Sequence, residues 1–274
     1  MTNNKILILG KGFIGKRLQE ALNCRICAKF IRSFSDANKI IKIYRPKIII
    51  NCIGVTGRRN VDDCELDIDG ALLANSSVPI ILAEVALRRN IKLVHISSGC
   101  IFNFDYKKDK PIKEGQVPDF FALFYSRSKI YAESSLEALS KKYDILIVRI
   151  RIPLLDKPHP KNILDKLIRY KKVIDVENSV TYIPDFIKAL KHLLKINASG
   201  IYNLVNRGGL RYPKLMQVYR KYVPGFKYKV ISLKQLGLVR TNLIMSTDKL
   251  EKTGFKVRNI NSVLEECVKN YLKS

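Results

Sequence analysis

The run Ile6-Leu7-Ile8-Leu9-Gly10-Lys11-Gly12-Phe13-Ile14-Gly15 decides the architecture. Residues 5–9 are continuously apolar rather than alternating, as a strand buried on both faces of a parallel sheet must be. Three glycines spaced Gly-x-Gly-x-x-Gly follow at once, and residues 16–23 read as a helix. That spacing is weak evidence alone; between a buried strand and a helix it has a mechanism. Gly10 permits a tight turn, Gly12 lets the backbone approach a pyrophosphate, and Gly15 lets the helix pack on the strand. The helix start then offers unpaired N–H groups to phosphate.

Working outward, the same rhythm recurs. Strands are expected at 25–31, 47–51, 92–96 and 144–149, and helices at 36–44, 79–89 and 126–140, with Arg45-Pro46 breaking the first of these. Alternating strands and helices with short connections predict an α/β fold, a doubly wound parallel sheet of the Rossmann kind. Beyond residue 150 the rhythm changes, with Pro153, Pro158 and Pro160 interrupting the chain. The expected division is a dinucleotide-binding domain over 1–150 and a smaller C-terminal substrate-binding lobe over 151–274, with segments returning to the first domain. Residues 261–273 form an amphipathic closing helix.

At 274 residues and 47% hydrophobic, the chain can bury one large core or a core with a satellite. No stretch has the ~18 consecutive apolar residues of a membrane span. The apolar run 6–9 is too short for a signal peptide, so a cytoplasmic protein is expected. Six cysteines do not make a disulfide framework at this length, and Cys24-x-x-Cys27 lacks a second Cys or His pair to complete a zinc site. It is read as two small buried residues, and no metal is expected. The net charge of +26 has no basic tail or arginine-rich run behind it. It is read as a basic solvated surface, with steering of anionic ligands as the alternative and no specific nucleic-acid partner.

A dinucleotide without a 2′-phosphate meets an acid about 20 residues after the glycines. Here that region is Ala28-Lys29-Phe30-Ile31-Arg32-Ser33, with no acid before Asp36. Cations there suit a 2′-phosphate, which favours NADPH over NADH; Lys29 and Arg32 are both candidates, and Lys11 in the turn is a third.

The catalytic signal is Tyr125-Ser-Arg-Ser-Lys129, with Ser97-Ser98 directly after the strand 92–96. Spacing of four puts Tyr125 and Lys129 on one helix face. A phenol near pKa 10 is a poor proton donor and acceptor at neutral pH, and a neighbouring ammonium stabilises its phenolate. Ser98, at the carboxyl edge where ligands bind, can hold a substrate carbonyl beside the tyrosine. Asn51, Gly54 and Val55 are expected to line the cofactor, with Asn75 supporting that loop.

Asn51-Cys-Ile-Gly54-Val55-Thr56-Gly57-Arg58, then Asn60-Val-Asp62, Gly99-Cys100-Ile-Phe102 and Phe124-Tyr-Ser together resemble the bifunctional nucleotide-sugar 3,5-epimerase/4-reductases. These make UDP-rhamnose from UDP-4-keto-6-deoxyglucose and are related to the dTDP-4-dehydrorhamnose reductases. The likeness continues through Arg149-Ile-Arg151-Ile-Pro153, Pro160-Lys-Asn162, Lys166, Arg169-Tyr170 and Asn178-Ser179 to Arg240-Thr-Asn242. It implies an NADPH-dependent reductase with Tyr125, Lys129 and Ser98 at its centre. It also implies Cys100 and Lys166 as the base and acid that invert carbons 3 and 5. Thr56, Arg58, Asn60, Asn162 and Arg240 fall to the nucleotide-sugar substrate, Arg240 through its fit to a diphosphate. Arg59 for proline and Ser98 for threonine depart from the pattern.

Two other readings stand beside this one. One is a reductase supplied by a separate epimerase, on either a UDP or a dTDP substrate. The other is a non-catalytic NADP-binding regulatory subunit, against which the retention of Ser98, Tyr125, Lys129 and Cys100 together argues. A homodimer is the expected assembly by analogy.

Overall fold

The computed structural model describes residues 3–58 and 60–274, so Arg59 lies outside the described residues. The chain runs β1 (Asn3–Leu9), α1 (Phe13–Leu22), β2 (Cys24–Cys27), α2 (Phe34–Tyr44) and β3 (Ile48–Asn51). A short 3-10 turn (Val61–Glu65), α3 (Ile68–Leu72), a π-turn (Leu73–Ser77) and α4 (Val78–Arg88) lead to β4 (Lys92–Ser98). Then come α5 (Phe124–Ser140), β5 (Ile145–Ile150), β6 (Pro153–Leu154), α6 (Ile163–Tyr170), β7 (Lys172–Ile174), β8 (Thr181–Tyr182), α7 (Ile183–Lys195) and β9 (Gly200–Asn203). The chain closes with α8 (Tyr212–Tyr222), β10 (Lys229–Ile231), α9 (Leu233–Leu236), α10 (Asp248–Glu251) and α11 (Ile260–Lys273).

Six strands form a parallel sheet in the order β2-β1-β3-β4-β5-β9 with helices flanking it. The order reverses between β1 and β3, and ligands of open α/β sheets bind at such a reversal, outside the carboxyl ends of the strands. Register puts Leu9, Asn51 and His95 in one row at that end. Side chains of Leu7, Leu9, Ile49, Leu93, Ile145 and Ile147 share one core cluster with Ile40 and Ile41 of α2, Leu82 and Ala86 of α4 and Leu136 of α5.

The chain divides into two compact units. The first takes the described residues up to Ile101, then Pro118–Arg149 and Asn197–Tyr202; the second takes Phe102–Val117, Ile150–Ile196 and Asn203–Ser274. The boundary drawn at residue 150 is therefore crossed by two exchanged segments. The second unit has its own core, in which Leu154, Leu164, Tyr182, Leu215 and Met216 pack with Ile260, Val263, Leu264 and Cys267 of α11.

Three expectations change. The second strand stops at Cys27 instead of reaching residue 31, and Phe30 beyond it is 83% exposed. The helix expected from residue 16 begins at Phe13, because Gly12 already stands as its N-cap. The helix expected over 79–89 is the last part of a continuous helical run from Ile68 to Arg88, long and apolar enough by composition to cross a membrane. Its Val78, Leu82, Ala83, Val85 and Ala86 are buried in the sheet's core cluster.

Candidate active site

In the first unit the site begins at the turn after β1. Gly10 has φ +100°, and a Cβ there would lie 2.8 Å from the Cys52 carbonyl carbon. A Cβ on Gly15 would meet the Gly10 carbonyl oxygen at 2.0 Å. Both glycines are thus required by the fold itself. Gly12 is not: its φ is ordinary and nothing lies within 4 Å of where its Cβ would be. An open space in front of an uncapped helix start is what a bound pyrophosphate needs. Phe13 and Ile14 form the first turn of α1 beside it, and Lys11 is exposed in the turn.

Gly10 N–H donates to the Cys27 carbonyl at 3.0 Å, which brings the end of β2 to the same edge. Lys29 and Arg32 follow, both exposed. Asp36, the first acid after the glycines, is committed elsewhere. Its carboxylate accepts from the backbone N–H groups of Arg32 and Ser33 at 3.0 and 3.1 Å, while the Ser33 hydroxyl accepts from Asp36 N–H. This capping box starts α2. Those backbone hydrogen bonds hold the Asp36 carboxyl below its ordinary pKa.

Asn51 is fully buried. Its Oδ1 accepts from Ile53 N–H at 3.0 Å, and its Nδ2 lies 3.1 Å from His95 Nδ1. It shapes the turn after β3 from inside. Beyond that turn, a Cβ on Gly54 would sit 3.2 Å from Lys129 Nζ and 3.2 Å from Asn75 Oδ1. Asn75 lies in the π-turn and grips Val55 through both its peptide groups, accepting from N–H at 2.8 Å and donating to the carbonyl at 3.0 Å. The same Nδ2 donates to Ser128 Oγ at 3.1 Å, and Ser76 Oγ donates to the Ser128 carbonyl at 2.7 Å. Here the wide turn locks the Gly54–Val55 loop onto α5.

Helix α5 carries Tyr125 and Lys129 one turn apart, both buried. Its first N–H, from Phe124, donates to the Glu65 carboxylate, and Arg127 pairs with Glu65 at 3.5 Å. Burial holds the Lys129 ammonium down to a pKa of about 8, against the opposing pull of Glu133 and the Cys52 and Cys64 thiols. At the end of β4, Ser98 Oγ accepts from Cys100 N–H at 3.1 Å, which leaves its own proton free to donate outward. Ser126 Oγ donates to the Cys100 carbonyl at 2.6 Å, so the cysteine is tied to the helix that bears Tyr125. Tyr125, Phe124, Cys64 and Ala71 form one buried cluster, with Cys100, Val55 and Val61 packed against it.

Of the residues expected at the substrate, Thr56 and Arg58 are exposed on the loop after Gly54. Asn60 is used locally: its Oδ1 accepts from Asp62 N–H at 2.8 Å and caps the 3-10 turn.

In the second unit, Asn162 is fully buried. Its Oδ1 accepts from Leu155 N–H and Leu164 N–H, and its Nδ2 donates to the carbonyls of Leu155 and Lys157. It caps α6 and staples the proline loop. Lys166 is half-buried on α6; burial lowers its pKa first, and the charges of Lys161, Arg240 and Arg169 lower it further. Three strings far apart in sequence meet near Arg240. Buried Arg151 donates through Nε and Nη2 to Asn178 Oδ1 at 3.2 and 2.8 Å, and through Nη1 to Thr241 Oγ1 at 3.0 Å. Asn178 Nδ2 in turn donates to Asn242 Oδ1 at 2.6 Å. The segment that presents Arg240 is thereby fixed. Among the described residues no cluster of His, Cys, Asp or Glu could hold a metal ion.

A glycine-turn nucleotide fold with a Ser-Tyr-Lys set at the carboxyl edge of its sheet is the arrangement of a short-chain dehydrogenase/reductase. The model of the RmlD substrate binding domain family matches residues 4–208, and the chain belongs to that family. A bifunctional dTDP-4-dehydrorhamnose 3,5-epimerase/reductase of Arabidopsis thaliana is 31% identical over 242 residues, covering 84% of this chain and 77% of that protein. A trifunctional dehydratase/epimerase/reductase of UDP-rhamnose formation from the same plant is 32% identical over 90% of this chain. The chain spans 39% of that relative's length. Among solved structures, the UDP-rhamnose synthase of Acanthamoeba polyphaga mimivirus superposes with a TM-score of 0.89 at 24% identity, covering 97% of this chain and 98% of that one. The dTDP-4-dehydrorhamnose reductase of Bacillus anthracis in complex with NADP gives 0.82 at 23%, covering 98% of each chain. Both share the fold.

Proposed function

We propose that this chain reduces a nucleotide-linked 4-keto-6-deoxy sugar with NADPH, and that Cys100 gives it 3,5-epimerase activity on the same substrate. The observation that carries the reading is that Cys100, bonded through its N–H to Ser98 at the end of β4, packs against the buried cluster that contains Tyr125. Bound NADPH would supply hydride to carbon 4. Tyr125 would give the proton to the developing alkoxide, Lys129 would keep the phenol's pKa within range, and Ser98 would hold the ketone oxygen. In a 4-keto sugar the hydrogens on carbons 3 and 5 are acidified by the ketone, and a thiolate at Cys100 is a base suited to remove them. Lys166 is the partner acid that the resemblance implies.

NADPH is favoured over NADH by the cations Lys29 and Arg32 and by the capture of Asp36 in a helix cap. The relative from Bacillus anthracis was solved with NADP. The nucleotide's diphosphate suits the cations around Lys166. That same cluster favours a second reading, a reductase alone, in which Lys166 binds phosphate and moves no proton.

The test incubates the protein with UDP-4-keto-6-deoxyglucose in deuterated water, with and without NADPH, and follows products by NMR and mass spectrometry. Deuterium at carbons 3 and 5, with UDP-rhamnose formed when NADPH is present, supports both activities. Reduction of supplied UDP-4-keto-rhamnose without exchange leaves the reductase reading alone. The absence of both deuterium exchange and NADPH oxidation would overturn the proposal.

A further inference from the structure

Helix α5 carries a third buried functional side chain one turn past Lys129. Tyr125, Lys129 and Glu133 follow at intervals of four, so they share one face. Glu133 is 1% exposed, and its carboxylate is held from two strands. Arg149 of β5 donates to Oε1 through Nε at 2.9 Å and Nη2 at 2.6 Å, and Ser97 Oγ of β4 donates to Oε2. Charge-assisted, forked bonds of this kind are strong and fix the carboxylate's orientation.

A buried ion pair is no more stabilising than well-packed apolar side chains of the same volume. Stability therefore gives no reason for a glutamate and an arginine here, whereas the carboxylate's place one turn from a buried ammonium does. We propose that Glu133 is a positioning residue that keeps Lys129 protonated at working pH, with Arg149 and Ser97 fixing where its charge sits. The inference rests on the reading of Lys129 as the partner of Tyr125.

The other groups around Lys129 supply no such charge. The Cys52 thiol is pushed up to about 12 by burial, and Cys64 is raised from the same cause. Both are neutral at working pH. His95 on β4 is fully buried, and its tautomer follows from its partner. Because Asn51 Oδ1 is taken by Ile53 N–H, Asn51 donates through Nδ2 to His95 Nδ1. The imidazole then carries its proton on Nε2, and burial together with the Lys129 charge keeps it neutral. Among these neighbours Glu133 alone bears a full charge opposite to the ammonium, and Arg149 binds its carboxylate from β5.

This arrangement predicts an order of titration midpoints. Glu133→Gln removes the favourable charge and the carboxylate that offsets the Arg149 charge, so Lys129 falls furthest. Glu133→Gln with Arg149→Gln removes both charges and replaces the ion pair with two amides, so Lys129 falls less. Wild type stays highest. The measurement is the Cε resonance of Lys129 in 13C-lysine-labelled full-length protein, assigned by its loss in Lys129→Arg and titrated by NMR. The expected fall in Glu133→Gln is about one to two pH units, the size of a unit charge one helical turn away. The basic limb of kcat/KM for ketone reduction should move down by the same amount, which a merely structural role would not produce. If Glu133→Gln fails to fold, the double variant carries the test, with its midpoint below wild type. A Lys129 midpoint unmoved in either folded variant overturns the proposal. The predicted order together with a wild type that reduces no 4-keto sugar would leave this inference standing and remove the functional reading.

Discussion

Asn75 holds the Val55 peptide from both sides, its Oδ1 accepting from N–H at 2.8 Å and its Nδ2 donating to the carbonyl at 3.0 Å. The same side chain reaches Ser128 on α5 at 3.1 Å. Asn75→Ala removes three hydrogen bonds: it leaves the Val55 N–H without its acceptor, the Val55 carbonyl with the Cys64 thiol alone, and Ser128 Oγ with its bond to the Tyr125 carbonyl alone. A loss of about 2–4 kcal/mol is expected from groups left unsatisfied in this way. Urea titration would read that loss, and reduction by the folded variant should drop at least tenfold. A stability change under 1 kcal/mol would show that the loop holds itself.

Lys129 is a cost to the fold. Its pKa of about 8 in the native state lies below the ordinary value of 10.5. Between those two pH values the unfolded chain binds the extra proton, so stability rises with pH across that window. Below about pH 8 the full penalty is present, roughly 3 kcal/mol at 1.36 kcal/mol per pKa unit. Lys129→Met should therefore raise stability at pH 7 by an amount of that order and abolish reduction. Thermal unfolding of both proteins at pH 7 and pH 10 checks this, since the gap should narrow at the higher pH.

Tyr125→Phe removes one hydroxyl and leaves the turn at Gly10–Gly15 untouched. Reduction should fall by about 100-fold or more, the range of a lost proton donor. NADPH affinity, measured by quenching or calorimetry, should stay within about threefold. A large loss of affinity would mean that the tyrosine holds the cofactor rather than the proton.

Cys100→Ala separates the two proposed activities. Exchange of deuterium into carbons 3 and 5 should vanish, while reduction of supplied UDP-4-keto-rhamnose continues within about tenfold of wild type. Exchange that persists would hand the base role to another group.

Arg32→Ala and Lys29→Ala resolve which cation meets the 2′-phosphate. One of them should weaken NADPH by about 1.5–3 kcal/mol, the worth of a hydrogen bond to a charged group, and leave NADH unchanged. Equal small effects from both would assign the preference to the general positive field of the chain.

Five of the sheet's six strands were readable from short, largely apolar runs and a first turn that is a glycine signature; β9, Gly-Ile-Tyr-Asn, was not. Neither the runs nor the signature needs tertiary context. The run 68–77 was not readable as helix. Asp-Gly-Ala-Leu-Leu-Ala-Asn-Ser-Ser contains glycine, asparagine and serine, each a poor helix former, and tertiary bonds from Asn75 and Ser76 override that preference. Asn60 and Asn162 have local uses that the sequence also signals. Each precedes an apolar residue at a helix start, which is the position of an N-cap, and each is used as one. Glu133 left a legible trace: an acid four residues past Lys129, and an arginine inside the apolar strand Ile145–Ile150 that needed a buried partner. The paired thiols Cys24 and Cys27 are buried, as small core residues are.

The π-turn at Leu73–Ser77 gives the helical run 68–88 a length that cannot be trimmed. Removing one residue there would let both halves continue as an ordinary α-helix, with every backbone group still bonded. All side chains on one side of the cut would nevertheless swing by about 100° around the axis. Either Asn75 leaves Val55, or the buried row from Val78 to Ala86 leaves the sheet. The extra residue works as a phase shifter that lets one helix face two demands at once, and a scan of single-residue deletions should find no tolerated gap between 73 and 77.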